Sequence, residues 1–154
     1  MHIVRLSILG ALAMAASLPS MAAPGTLCST DEEIIFTCNT KRKTYEICAS
    51  RDLGATSGYM QYRAGSNGKV EFVYPKRRML PTGKFKFVLL ARGAQLSFQN
   101  DEFTYEIVEP LIGTPQIWVS QKDKSLSSIE CLNHSDFLTL TTTQNRFKAL
   151  GIYE

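Results

Sequence analysis

Apolar and polar positions along most of this chain alternate at the period of a β-strand, and the runs are short and separated by turn residues. Residues 33–38 and 43–49 read as a hairpin across Asn39-Thr40-Lys41-Arg42. Pairing Cys38 with Lys43 brings Phe36 to Tyr45 and Ile34 to Ile47, which gathers one apolar face. The strongest turn signal is Asn67-Gly68, because both residues tolerate the positive φ of a type I′ turn. It joins residues 59–66 to 69–74, with Ser66 expected opposite Lys69, Tyr62 opposite Val73 and Arg63 opposite Phe72. Residues 84–92 form a further strand, followed by hairpins of 94–99 with 102–108 across Asn100-Asp101 and of 117–120 with 126–131 across Lys122-Asp123-Lys124. Trp118 is expected in the core. Residues 143–150 read as a short terminal helix stopped by Gly151. The pattern predicts an all-β fold, a small antiparallel β-barrel or sandwich of about eight strands with a short C-terminal helix.

The first residues break this pattern. Arg5 precedes an apolar run over residues 6–18 that is too short to span a bilayer, and Ser20-Met21-Ala22 offers small residues at the two positions a signal peptidase reads. Residues 1–22 are thus expected to be a signal peptide cleaved after Ala22, leaving residues 23–154 as a single β domain. No later run is long enough for a membrane helix, so the mature chain is expected to be soluble, in the periplasm or secreted.

Export changes the meaning of the cysteines. Cys28, Cys38, Cys48 and Cys131 all lie in the mature part, and an even count in an oxidising compartment reads as two disulfides. Three connectivities are open. In the expected register Cys48 points away from Cys38, which leans the pairing toward Cys28 with one of them and Cys131 with the other. Spacings without a CxxC knuckle argue against a metal site, and paired thiols leave no redox or nucleophilic cysteine.

Other chemistry is sparse. The single mature histidine, His134, has Ser135 and Asp136 beside it, and three adjacent residues do not converge as a triad does. The acids Asp31-Glu32-Glu33 and Asp101-Glu102 sit at turns and are expected in solvent. No glycine-rich phosphate loop or cofactor motif is present, so neither an enzyme nor a cofactor is expected. The net charge is +3, or +2 once Arg5 leaves with the signal. That is too small for a nucleic-acid binder, although basic and aromatic residues interleave in Tyr74-Pro75-Lys76-Arg77-Arg78 and Lys84-Phe85-Lys86-Phe87.

Two loops remain as candidate binding surfaces. Residues 52–59 are small and glycine-containing, with Ser57, Gly58, Tyr59 and nearby Tyr62 as candidate anchors for a protein partner. The basic run Lys76, Arg77, Arg78 is a candidate contact for an acidic protein or an anionic envelope polymer such as lipopolysaccharide. A small exported β-domain braced by disulfides, with Ser57-Gly58-Tyr59 in a loop, resembles the bacterial periplasmic lysozyme inhibitors. The resemblance implies that Ser57, Gly58 and Tyr59 or Tyr62 belong to a protruding loop that enters the cleft of a cell-wall hydrolase. The functional expectation is a binding protein that inhibits, or gives immunity against, an envelope-acting enzyme. The alternative is an envelope-associated structural module that holds anionic polymer through its basic loop.

Overall fold

The computed structural model describes residues 25–122, 124–133 and 137–154. The proposed signal peptide and the His134-Ser135-Asp136 run lie outside the described residues. Among the described residues nine strands form two antiparallel sheets, and within each sheet the strands pair in sequence order. The first holds β1 (Glu32–Asn39), β2 (Thr44–Ser50), β3 (Met60–Ser66) and β4 (Lys69–Tyr74), and the second holds β5 (Phe85–Leu90), β6 (Gly93–Asn100), β7 (Phe103–Pro110), β8 (Gln116–Gln121) and β9 (Lys124–Glu130). The sheets do not close on each other, so the fold is a sandwich and not a barrel. Helix α1 (Thr141–Ala149) starts two residues before its expected position and ends with Gly151 at φ +68. The Gly151 and Ile152 amides donate to the carbonyls of Lys148 and Phe147, which satisfies the helix end as a Schellman motif does.

Alternation held, but register did not everywhere. In the first hairpin Cys38 pairs with Tyr45 and Phe36 with Ile47, two residues away from the expected register. Thr40 closes a longer turn by bonding Lys43 through both its amide and its hydroxyl. A shift of two preserves the faces, so Phe36, Cys38 and Ile47 still point inward, while a bulge at Ile35 lets Ile34 meet Cys48.

In the second hairpin the correction is larger. Asn67 and Gly68 take the expected positive φ and Ser66 faces Lys69, yet Tyr62 pairs with Tyr74, Arg63 with Val73 and Ala64 with Phe72. Glu71 is the extra residue of a bulge. A Cβ on Gly65 would stand 2.0 Å from the Lys69 carbonyl oxygen, so only glycine lets the strands approach there. The slip of one flips β4 about and puts Tyr62, Phe72 and Tyr74 on one face.

That face meets the second sheet. Phe98 lies between Tyr74, at 4.5 Å and 14°, and Tyr105, at 4.6 Å and 6°, while Tyr62 touches Tyr45, Phe72, Phe98 and Tyr105. Phe147 of α1 packs on Phe87. After the helix the chain runs along β5, where the Phe87 amide donates to Ile152 and Glu154 donates back to Phe87, so that sheet edge is covered. Trp118, by contrast, is 43% exposed. Its neighbour Ile117 points into the core, which turns the indole outward, where it donates to Gln116.

The disulfides are Cys28–Cys48 and Cys38–Cys131. They leave the first sheet on opposite faces. Cys38 is on the core side and reaches the segment after β9, whereas Cys48 is on the outer side and clamps residues 25–31 over the sheet. Beneath that segment the buried Glu46 carboxylate accepts from the Leu27 and Cys28 amides and from the hydroxyls of Thr26 and Thr37.

Candidate functional site

The centre of the candidate site is an acid expected in solvent. Glu32 opens β1, and its side chain is fully buried under the clamped N-terminal segment. Both oxygens meet the Arg63 guanidinium, Oε2 at 2.6 Å and Oε1 at 2.7 Å. The Tyr59 hydroxyl donates to Oε1 at 2.5 Å and the Ser29 amide to Oε2 at 2.7 Å. Burial by itself pushes the Glu32 carboxyl up, but the bonds from Arg63, Tyr59 and Ser29 and the charge of Arg63 outweigh it and hold the pKa down to about 2. Arg63 also donates to the Leu27 carbonyl through Nη1 and to the Gln61 side-chain oxygen through Nη2. The carboxylate is ionised and fully engaged, which makes it a brace.

The brace joins the two candidate loops. Arg78 reaches Glu32 Oε1 at 3.8 Å and lies over the Tyr59 ring, 4.7 Å from its centroid. Burial and the bond to Glu32 raise the Tyr59 phenol above its ordinary pKa. The Met60 amide donates to the Met79 carbonyl, so backbone as well as side chains hold the loops together.

Loop 51–59 is folded on itself. Leu53 is buried beneath it, the Gly54 amide donates to the Ser57 carbonyl, and the Ser57 hydroxyl donates to the Asp52 carbonyl. Gly58 sits at φ +76, and a Cβ there would come within 2.4 Å of the Ser50 hydroxyl and 2.7 Å of the Leu53 Cα. Glycine is required for the loop to close. From the far side Arg146 of α1 pairs with Glu33 and donates to the Leu53 carbonyl. Ala55, Thr56 and Ser57 remain exposed at the apex.

Of the expected anchors, Ser57, Gly58 and Tyr59 lie in this loop, but Tyr62 does not serve it. Tyr62 is 2% exposed and is a core residue, because β3 turns it inward. Lys76 and Arg77 are exposed beyond Arg78 and line a cavity of about 360 Å³ together with Tyr74 and Lys84. The interleaved run 84–87 divides in the same way as Tyr62 and its neighbours: Phe85 and Phe87 face the core while Lys84 and Lys86 face solvent.

Sequence reasoning missed the Glu32–Arg63 pair, since nothing local marks two residues 31 apart as partners. Also missed was an exposed apolar tip of Leu89, Leu90, Leu111 and Ile112, the last 92% exposed. Sγ atoms of Cys28 and Cys48 lie within 4.8 Å of a Glu32 oxygen. Those sulfurs are tied up in their disulfide and the carboxylate is held by Arg63, so the group does not offer a metal the thiolates it needs.

Compared with known proteins, the chain matches no family model, no curated protein and no solved structure. The likeness to lysozyme inhibitors therefore rests on Ser57, Gly58 and Tyr59 alone.

Proposed function

We propose that this is an exported binding protein that docks on an envelope-acting enzyme and blocks it, with residues 52–59 and Arg78 as the docking surface. The observation that carries the reading is the joint bracing of Tyr59 and Arg78 on buried Glu32. A loop held in one conformation before binding gives up little entropy on association, and Tyr and Arg are the residues that dominate interface energies. The basic side chains beside the loop favour a partner with an acidic rim. Two disulfides suit an oxidising compartment, and among the described residues no helix is long and apolar enough to cross a membrane.

The test is inhibition of peptidoglycan hydrolysis by an envelope extract, with wild type set against Thr56→Arg. Thr56 is exposed at the apex and its replacement leaves the brace untouched. Saturable inhibition by wild type, weakened at least about tenfold by Thr56→Arg, supports the reading, since a steric block at an interface centre costs about 1.4 kcal/mol or more. Unchanged hydrolysis at all concentrations contradicts it.

A second reading, a module that associates with anionic envelope polymer, draws on Lys76 and Arg77. Neither is used by the brace, and both line a cavity.

A further inference from the structure

Three cations converge where the first sheet meets the start of the second. Lys76 and Arg77 follow β4, and Lys84 precedes β5, yet all three line one cavity of about 360 Å³. Among the described residues none of the three side chains forms an ion pair or hydrogen bond, whereas Lys43, Lys86, Arg63 and Arg146 are each paired with an acid. Asp101 is the only acid lining this cavity among the described residues. A second cavity of about 550 Å³ shares Tyr74, Lys84 and Asp101 with it and continues along the second sheet past Gln99 and Thr104. The Tyr74 hydroxyl makes no hydrogen bond to any described residue and is not sealed from solvent, and Tyr74 lines both cavities.

We propose that this continuous groove binds a multiply anionic saccharide, with Lys76, Arg77 and Lys84 holding its phosphate or carboxylate groups. The Tyr74 hydroxyl and the side chains of Gln99 and Thr104 meet its sugar hydroxyls. Cations gathered without internal partners gain most from a ligand with several negative charges; in the larger cavity Lys86 and Glu154 neutralise each other as an ion pair, and the neutral Gln99 and Thr104 beside them suit a polyol. An acidic peptide fits less well. The neighbouring edge of β5, where a strand would add, is taken by residues 152–154. A lipid acyl chain fits less well too, because the exposed apolar tip, Leu89 and Leu90 at the end of β5 with Leu111 and Ile112 after β7, lies at the opposite ends of these strands.

The inference deepens the second reading, and its test separates the two. Calorimetric titration of the full mature protein uses four probes: a bisphosphorylated glucosamine disaccharide, oligogalacturonate, inorganic tripolyphosphate and neutral dextran. The first two differ in the anion they carry and so tell a phosphorylated from a uronic source. One-to-one binding of either is expected. A Lys76→Ala, Arg77→Ala, Lys84→Ala triple variant should weaken it roughly 100-fold, since contacts to exposed cations are individually worth up to about fivefold. Tyr74→Phe should weaken the saccharides only, while Tyr59→Ala and Arg78→Ala leave them unchanged. The exposed positions of the triple variant keep folding intact, which its melting temperature checks. The proposal is overturned if neither charged saccharide binds, if the triple variant binds as wild type does, or if tripolyphosphate matches the saccharides and Tyr74→Phe has no effect. Sedimentation with whole envelopes is the separate arm: saccharide binding without co-sedimentation upholds the groove and removes the envelope-association reading.

Discussion

The Arg78 guanidinium lies 4.7 Å from the centre of the Tyr59 ring, with the Glu32 carboxylate beneath both. Residues 19 apart, one after a glycine and one in a basic run, thereby become parts of a single surface. The contact costs little to form because Glu32 is itself fixed by Arg63. A rigid buried pair thus sets the geometry of an exposed one.

Removing the charge from Glu32 leaves Arg63 buried without its partner. Glu32→Gln should lower unfolding free energy by about 3 kcal/mol, as breaking a buried pair on one side does. Tyr59→Phe, which deletes one donor and keeps the ring, should cost only about 1 kcal/mol. Urea denaturation of the three proteins measures both.

The same carboxylate predicts an acid response. Its folded pKa of about 2 lies below the ordinary 4.5, so its contribution is complete above pH 4.5 and is lost as pH falls from there toward 2. The urea midpoint of wild type should fall across that window, and that of Glu32→Gln should fall less. Equal slopes for the two proteins would remove Glu32 as the source.

Gly65 should be irreplaceable in a way that an ordinary strand glycine is not. Gly65→Ala sets a methyl group against the Lys69 carbonyl, so either the bulge is lost or the strands part. Loss of the bulge would turn Phe72 and Tyr74 out of the core, and a destabilisation of at least about 2 kcal/mol is expected. Gly83→Ala is the comparison, since nothing lies within 4 Å of a Cβ there and only its positive φ is penalised, by about 1 kcal/mol. Thermal unfolding of the two variants should rank them in that order.

The two disulfides should contribute unequally. Cys38–Cys131 closes a separation of 93 residues and Cys28–Cys48 one of 20. The chain-entropy account gives about 4 to 5 kcal/mol for the first and about 3 kcal/mol for the second. Guanidinium denaturation of Cys38→Ser/Cys131→Ser and Cys28→Ser/Cys48→Ser proteins compares them. The second variant should also free the N-terminal segment that covers Glu32, and so raise protease cleavage near residue 30.

The turns and the alternation of β-strands were legible because they depend on neighbours in sequence. Asn67-Gly68 and Gly151 stand where their φ preferences put them, and the opposed faces of Cys38 and Cys48 pointed toward the pairing found. Bulges were not legible, since the reason for one is a close approach such as that of Gly65 to Lys69. Missing the bulge hid the gathering of Phe72 and Tyr74 beside Tyr62. Glu32 was misread for a related reason. Its acidic neighbours and turn position indicate solvent, and only the folding of residues 25–31 over the sheet encloses it. Trp118 was misplaced because its position inside a strand suggested burial, while strand parity, set by Ile117, decided the matter. In the candidate site the loop residues Ser57, Gly58 and Tyr59 and the basic Lys76, Arg77 and Arg78 were visible, but their meeting at one carboxylate was not.

The docking surface is tested most directly by a photoreactive amino acid placed at position 56, at the loop apex, in living cells, with position 70 on β4 as the control. Irradiation should give one dominant adduct with a peptidoglycan-acting enzyme from position 56 and none from position 70. No adduct from position 56, or the same adducts from both positions, would contradict the claim that the braced loop is where this protein meets its partner.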